Sequence, residues 1–535
     1  MDEAQARNGH DGGHHHEHAH HDDPVWDVVV VGGAAAGLAA ALQLGRSRRS
    51  VLVVDAGQPR NAPAAHLHGY VGHDGLAPTE LLRIGRDEVR AYGVELVDGA
   101  VLDVTQSPTG GPFRLALADG TSRSARRVLL ATGLVDELPD LPGVAEQWGH
   151  GVIHCPYCHG WEVRDQPIVV LATGPMAGHQ ALLFRQLTDR VTVVLHGAEV
   201  DAEERRLLLA RGIRLRGGPA TEVVVEEGAV RGVRLVDGQI VEAAAVVVAP
   251  TFVARSAAVR GLGLTPVPAP NGVGEVIETD ARGETTVAGL YAAGNVHDVG
   301  QQLLQAAAEG GRVGAMINAD LAHDDAERAI AAAEEDSAEG WDRRYDGEDR
   351  VWSGEPNGAL VAEVAGLDPG RALDLACGEG ADAIWLARQG WQVTAVDISQ
   401  VAVDRGRRAA DDAGLSVEWV VADVVDEPPA VGAYDLVSAQ YPALRNDDDG
   451  RAVRAIVEAV APGGTLLVVH HDVETMHAHG HDHGWDPTQY ALPADVAAVL
   501  DDGWTIEVDE VRTRVRPAGS PGPDVPDVVL RACRT

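Results

Sequence analysis

The chain has 535 residues, 45% of them apolar, with 43 Lys plus Arg against 81 Asp plus Glu and a formal net charge of −38. Such a length suggests about three domains, and such acidity argues against nucleic acid or an anionic membrane as a partner. No lysine occurs anywhere, which excludes Schiff-base chemistry and a P-loop lysine.

The first 24 residues are polar and His-rich (His14, His15, His16, His18, His20, His21) and read as a disordered tail with the composition to chelate soft divalent metals. No basic start followed by an apolar run precedes them, so no export signal is expected, and four cysteines in so long a chain fit a reducing cytoplasm. Val28-Val29-Val30-Val31, then Gly32-Gly33-Ala34-Ala35-Ala36-Gly37, then an Ala/Leu-rich run read as strand, tight turn and helix; residues 28–44 are too Gly/Ala-rich to read as a membrane span. The turn aims backbone N–H groups and a helix N-terminus at a pyrophosphate, and Asp55, after the apolar stretch 51–54, is placed to accept hydrogen bonds from a ribose. Ala34 adds a methyl where the fingerprint has its middle glycine. Leu130-Ala131-Thr132-Gly133 closes a further apolar strand.

Cys155-Pro156-Tyr157-Cys158-His159 follows. Two thiols two residues apart can cycle between dithiol and disulfide without moving the backbone. The other cysteines, Cys377 and Cys533, are far away in sequence, so neither a disulfide framework nor a four-ligand zinc site is present. A second strand–turn–helix pattern spans residues 169–177, with Ala172 in place of the first glycine and Thr173, Gly174 and Ala177 as candidate pyridine-nucleotide contacts. Its next strand runs into Leu195-His196-Gly197 without an arginine pair. Gly289-Leu290-Tyr291-Ala292-Ala293-Gly294-Asn295 ends another apolar strand before a helical stretch from Gln301.

This order of elements resembles the low-molecular-weight thioredoxin reductase family over residues 25–322. The resemblance implies a Rossmann-like FAD-binding domain in two segments, 25–137 and 250–322, interrupted by a pyridine-nucleotide-like Rossmann domain at 138–249. FAD would be held by Gly32, Gly33, Ala34, Gly37, Asp55, Ala131, Thr132, Gly133, Gly294 and Asn295. Cys158 would face the flavin and Cys155 would exchange with substrate sulfur, in an expected homodimer. The departures concern the electron donor: the arginine pair that grips the 2′-phosphate of NADPH is missing, and a guanidinium fork is the natural reader of that group. Asn295 replaces the family's flavin-contacting aspartate, and the Arg-Gln pair expected near Gln302-Leu303 is absent. His159 stands where an acidic residue is usual. An imidazole there can take and return thiol protons, or simply pack at the surface against the flavin domain.

Cys-Pro-Tyr-Cys-His with a weakened NADPH site also resembles the dithiol oxidases of disulfide natural-product pathways, which pass electrons through FAD to oxygen. Two readings therefore stand: an NADPH- or NADH-fed reductase of thioredoxin or a small disulfide, and an oxygen-linked oxidase of a small dithiol. They share one site and differ in direction.

A charged, Ala-rich stretch at 323–340 reads as a helical or flexible linker. Beyond it come an aromatic lead-in with Trp341, Tyr345 and Trp352, then the strand–turn–helix Asp374-Leu375-Ala376-Cys377-Gly378-Glu379-Gly380, and Asp397 at the end of the next strand, placed for ribose hydroxyls. With Val421-Ala422-Asp423, the strand from Tyr434 and the Ala-Pro-Gly-Gly turn at 461–464, residues 341–535 resemble class I S-adenosylmethionine-dependent methyltransferases of the tellurite-resistance and thiopurine group. The resemblance implies a doubly wound α/β domain holding S-adenosylmethionine through Asp374, Ala376, Gly378, Gly380, Asp397 and Asp423, with a small soft acceptor such as a thiol. A nicotinamide-binding Rossmann domain is the competing reading.

Cys377 and Cys533 read as packing residues. The run His470, His471, His477, His479, His481 and His483 has the composition of a divalent-metal trap and equally of a solvated insertion; without a register no ligand set is assigned. The expectation is a bifunctional α/β enzyme, its non-enzymatic rival a metal-sequestering or scaffold protein on degenerate nucleotide folds.

Overall fold

A computed structural model describes residues 24–108, 110–270, 272–347, 350–446, 449–473, 475, 489–514 and 525–535. The His-rich tail before residue 24 and His477, His479, His481 and His483 lie outside the described residues. The chain divides into two compact units, Asp23–Asp324 and one built on Asp325–Thr535, each mixed α/β with Rossmann-like parallel sheets.

In the first unit the strand Val25–Val31 lies between Val51–Asp55 and Ser122–Leu130, parallel to both. Val28, Val29 and Val30 are fully buried, as an unbroken valine run must be when both faces of a parallel sheet are covered. On one face pack the helices Ala35–Arg46 and Leu303–Glu335, where a Cβ on Gly310 would lie 2.0 Å from the Ala36 carbonyl oxygen. On the other face pack Phe113, Leu115 and Val259. The chain leaves this sheet through Leu134–Glu137 and returns through Thr251–Ala254, which pair antiparallel. Between these crossings lie a second parallel sheet, in the order Arg214–Arg216, Val191–Val194, Ile168–Leu171, Ala245–Val247, Val152–Ile153, and a three-stranded antiparallel sheet.

The helix expected from Gln301 starts instead at Leu303, after Gln302 donates its backbone N–H to the Gln305 side chain at 2.8 Å. It continues to Glu335, through most of the stretch read as a linker, and a further helix follows at Ala338–Tyr345. The Ala- and Glu-rich composition there has high helix propensity.

In the second unit the strand order is Glu418–Val421, Gln392–Asp397, Arg371–Leu375, Tyr434–Gln440, Val460–His471, Asp527–Arg534, Trp504–Arg512. The first five are parallel, and Asp527–Arg534 pairs antiparallel with both of its neighbours. The strand Val460–His471 takes in the Ala-Pro-Gly-Gly segment read as a turn and runs on to His471. This extension matters because ligands of open α/β sheets sit beyond the carboxyl ends of parallel strands. Among the described residues no helix is long and apolar enough to cross a membrane.

Candidate active sites

The first glycine turn is tight enough that its sequence is dictated by space. A Cβ on Gly37 would lie 1.9 Å from the Gly32 carbonyl oxygen, one on Gly33 would meet the Asp55 side chain at 2.8 Å, and Gly32 has φ +108°. Ala34 caps the helix Ala35–Arg46 with no side-chain hydrogen bond, so the first N–H groups of that helix remain available to an anion. The turn opens on a cleft of about 790 Å³ lined by Gly32, Gly33, Ala34, Asp55, Ala131, Thr132, Gly133, Gly294 and Asn295 and, farther along, by Cys155, Cys158 and His159. Gly37 lies beneath the turn and supports it. A dinucleotide such as FAD fits a cleft with this glycine cradle at one part and a thiol pair at another.

Two of these side chains already have protein partners. Asp55 accepts from the Gly57 N–H at 3.2 Å and from Arg86 at 3.0 Å. Asn295 donates to the carbonyls of Asp298 and Gln301, both at 3.0 Å, so its amide fixes the loop at 298–301.

The thiol pair follows the edge strand Val152–Ile153. Cys155 caps the short helix Pro156–His159, and Pro156 supplies a first-turn residue that needs no hydrogen bond. The two free thiols share one proton. The Cys158 S–H donates to Cys155, and with the N–H groups of Tyr157 and Cys158 this holds the Cys155 thiol down at about 7 against an ordinary value of 9.0, despite burial. As the donor, and by burial, Cys158 is pushed strongly up. Cys155 is thus the thiolate of the pair, the form that attacks sulfur.

Arg60, which sequence reasoning missed, lowers both thiols through its charge. It is held by Asp136 at 2.7 Å and by the Asn295 side chain at 3.4 Å, with its guanidinium 4.9 Å from the Phe252 ring. Two histidines flank the pair. Burial lowers the pKa of His159, and its Nε2 is buried without a hydrogen bond to a described residue. Burial likewise lowers His154, whose Nδ1 lies 3.0 Å from the Val248 carbonyl oxygen and 3.0 Å from Gln180 Nε2. Both imidazoles are therefore neutral near pH 7 and able to accept a proton.

The inserted domain contributes Pro175, Met176, His179, Gln180 and Leu183 to the same cleft, but its own candidate contacts Thr173, Gly174 and Ala177 lie outside the lining. The Thr173 hydroxyl is engaged with Ala249, accepting from its N–H at 2.9 Å.

In the second unit the turn Ala376 to Gly380 relies on left-handed backbone, with φ +55° at Ala376, +53° at Gly378 and +77° at Gly380. Asp397 is buried and tied to the turn, accepting from the N–H groups of Gly378 at 2.7 Å and Ser399 at 2.9 Å. Burial raises its carboxyl. Asp374, fully buried near Asp382 and Asp397, is raised well above the usual carboxylate range by desolvation and then by those charges. Asp423 folds onto its own loop, accepting from the Val425 N–H at 2.9 Å.

All six candidate contacts, Asp374, Ala376, Gly378, Gly380, Asp397 and Asp423, line one cavity of about 720 Å³. The aromatic lead-in closes over it. Trp352 Nε1 donates to the Tyr345 hydroxyl at 2.8 Å, and Glu379 accepts from the N–H groups of Val351 and Trp352 at 3.1 and 3.0 Å. Asp397 at the end of Gln392–Asp397 and Asp374 near the end of Arg371–Leu375, with a glycine turn beside them, make a buried polar wall that suits a nucleoside. Tyr441, His471 and Arg514 share this cavity; Tyr441 and Arg514 had no reading from the sequence and His471 only one within the His-rich run, because each ends or follows a different strand. Among the described residues no group of three or more His, Cys, Asp or Glu is placed to hold a metal ion.

The fold and its two clefts define a class: a disulfide oxidoreductase unit with its thiols on an inserted Rossmann-like domain, followed by a doubly wound domain with a cavity at its glycine turn. The family model for pyridine nucleotide-disulphide oxidoreductases matches residues 26–311, and the chain belongs to that family. A methyltransferase-domain model matches residues 372–464.

Thioredoxin reductase sirT of Leptosphaeria maculans is 30% identical over 299 residues, covering 53% of this chain and 90% of that protein. Thioredoxin reductase tcpT of Claviceps purpurea is 36% identical over 176 residues, 32% of this chain and 55% of that protein, so the chain spans about half the length of that relative. Among solved structures, HlmI is 43% identical with TM-score 0.55, over 58% of this chain and 97% of that one. The oxidoreductase from Agrobacterium tumefaciens is 36% identical with TM-score 0.53, over 56% and 99%. The chain is an enzyme with a thioredoxin-reductase-like oxidoreductase domain and a methyltransferase domain; the first family implies FAD and the second S-adenosylmethionine.

Proposed function

We propose that the redox unit closes a small-molecule dithiol to a disulfide with oxygen as the final acceptor, and that the second unit methylates a small soft nucleophile. One observation supports the oxidase direction. After Val191–Val194, where a 2′-phosphate reader is needed, the chain runs Leu195-His196-Gly197-Ala198-Glu199-Val200-Asp201. His196 Nδ1 is spent accepting from the Ala220 N–H at 2.9 Å, and the Glu204 carboxylate packs where a Cβ on Gly178 would be, 1.8 Å away. A phosphate arriving there meets carboxylates instead of a guanidinium fork.

On the oxidised pair, one substrate thiolate attacks Cys155 Sγ. The Cys155–Cys158 bond breaks, and its electron pair leaves with Cys158. The second substrate sulfur then displaces Cys155, closing the product disulfide and leaving both enzyme thiols reduced. His159 and His154 accept the two substrate protons and return them to the enzyme thiols. Bound FAD supplies the two-electron acceptor that reoxidises the pair and the route of those electrons to oxygen, which becomes hydrogen peroxide. The rival, a reductase fed by NADPH or NADH, is favoured by the family's own description.

Anaerobic mixing of the oxidised protein with NADPH, NADH or dithiothreitol separates the two. Dithiothreitol should bleach the flavin rapidly and NADPH poorly, and air should restore the colour and release peroxide. Rapid bleaching by micromolar NADPH followed by turnover with thioredoxin overturns the oxidase direction.

A further inference from the structure

Four side chains in the second unit converge where the nucleoside contacts end. Tyr441 follows the strand Tyr434–Gln440 with φ +53°, a conformation costly for a bulky residue, and is pinned by its N–H donating to the Val469 carbonyl at 2.8 Å. His471 ends the strand Val460–His471 and lies directly opposite Asp527 in the antiparallel pair. Its Nδ1 is 3.8 Å from Asp527 Oδ1, and its ring lies 4.6 Å from that of Tyr441 at an interplanar angle of 35°. Arg514 places its guanidinium 4.7 Å from the Tyr441 ring and its Nε 3.9 Å from the same Asp527 oxygen. His470 completes the surroundings, its ring 5.8 Å from that of His471, and burial and the neighbouring His471 lower its pKa to about 4, so it is neutral.

Asp527 is 3% exposed, yet its Oδ1 and the facing His471 Nδ1 are buried without a hydrogen bond. The Tyr441 hydroxyl hydrogen-bonds the Asp527 carboxylate and Arg514 offsets its charge, while Oδ1 itself faces the imidazole. Here a small rotation of the imidazole would bring Nδ1–H onto it, as catalytic hydrogen bonds that are loose before substrate binds commonly tighten. His471 itself lines the cavity.

We infer that His471, oriented by Asp527, is the base that removes the proton of the methyl acceptor, and that this acceptor is an alkyl thiol. The inference rests on the methyltransferase reading of the cavity. The substrate class follows from matching acidities. A carboxylate or an aryl thiolate arrives ionised and needs no base, an aliphatic alcohol is far too weak an acid for an imidazole, and a phenol at roughly 10 or an alkylammonium at roughly 10.4 lies farther from it than a thiol does. An alkyl thiol, at roughly 8.5, lies within about two pKa units of an imidazole at roughly 6.5.

In the transfer the thiol proton moves to His471 Nε2 and the thiol sulfur forms the new bond to the methyl carbon. The bond from that carbon to the sulfonium sulfur breaks, and its electron pair stays on the departing sulfur. Asp527 carries the countercharge of the imidazolium, and Tyr441 walls the ring from water.

The test uses the full chain with S-adenosylmethionine and two probes, 2-mercaptoethanol and thiophenol. In H471Q, kcat for 2-mercaptoethanol should fall by about 10²- to 10⁴-fold while thiophenol methylation changes far less. The acidic limb of the alkyl-thiol pH profile should also disappear. D527N should likewise lower kcat for 2-mercaptoethanol and change thiophenol methylation far less, since the imidazolium loses its carboxylate. H471N provides a second variant that leaves the buried aspartate in place. Equal losses for both thiols, an unchanged pH profile, or methylation of neither thiol by a wild-type protein that binds S-adenosylmethionine would overturn the inference. Failure of the wild-type protein to bind S-adenosylmethionine in calorimetry would instead overturn the methyltransferase reading beneath it.

Discussion

Replacing Cys158 by alanine removes the S–H that holds Cys155 near 7 while leaving the N–H groups of the helix turn in place. Burial opposes those groups, so the Cys155 thiol should return toward its ordinary value of 9.0. At pH 6 the wild-type thiolate fraction is about one tenth and that of the variant about one thousandth, a hundred-fold difference. The more basic thiolate is the better nucleophile, by roughly eight-fold for a Brønsted slope near 0.45 over two pKa units. The net expectation is about ten-fold slower alkylation of Cys155 in Cys158→Ala at pH 6, and about eight-fold faster alkylation above pH 9, where both are ionised. The two profiles must therefore cross.

Pulse labelling with iodoacetamide across pH, read by mass spectrometry on the peptide containing Cys155, separates this thiol from Cys377 and Cys533. Profiles that run parallel, or a wild-type midpoint above pH 8, would refute the shared-proton account of the pair.

Gly37→Ala places a Cβ 1.9 Å from the Gly32 carbonyl oxygen, so the turn must open; the variant should fold without flavin, with no flavin absorbance after reconstitution, and wild-type flavin content would contradict the cradle. Asp397→Ala removes the acceptor that ties Gly378 to Ser399 and lines the cavity. It should weaken S-adenosylmethionine by about 1.5–3 kcal/mol, roughly ten- to hundred-fold in Kd by calorimetry. Asp374, with its folded pKa raised by burial, contributes stability that is fully present below its unfolded value of about 4 and is lost as pH rises through the folded pKa. Asp374→Asn lacks that loss. Its Tm relative to wild type should therefore grow more positive from about pH 4 upward, and a difference independent of pH would show that Asp374 is ionised in the fold.

The sequence by itself determined what neighbouring residues decide. The valines at 28–31 with the glycine turn, the Cys155–Cys158 spacing, and the Asp374 to Gly380 turn each encode a strand, a tight bend or a thiol pair through local periodicity and local space. The residues read from them line the two cavities, apart from Gly37, which lies beneath its turn, and the inserted domain's Thr173, Gly174 and Ala177.

Only the tertiary structure decided the groups that tune the chemistry. Arg60 meets Asp136 and Asn295 across 76 and 235 residues of chain, and it sits in irregular backbone that carries no period to read. The stretch at 323–335 carries an equally local signal for a helix, yet composition left helix and linker undecided. Tyr441, His471, Arg514 and Asp527 come together because Asp527–Arg534 inserts antiparallel between Val460–His471 and Trp504–Arg512. No local pattern along the chain records that strand order.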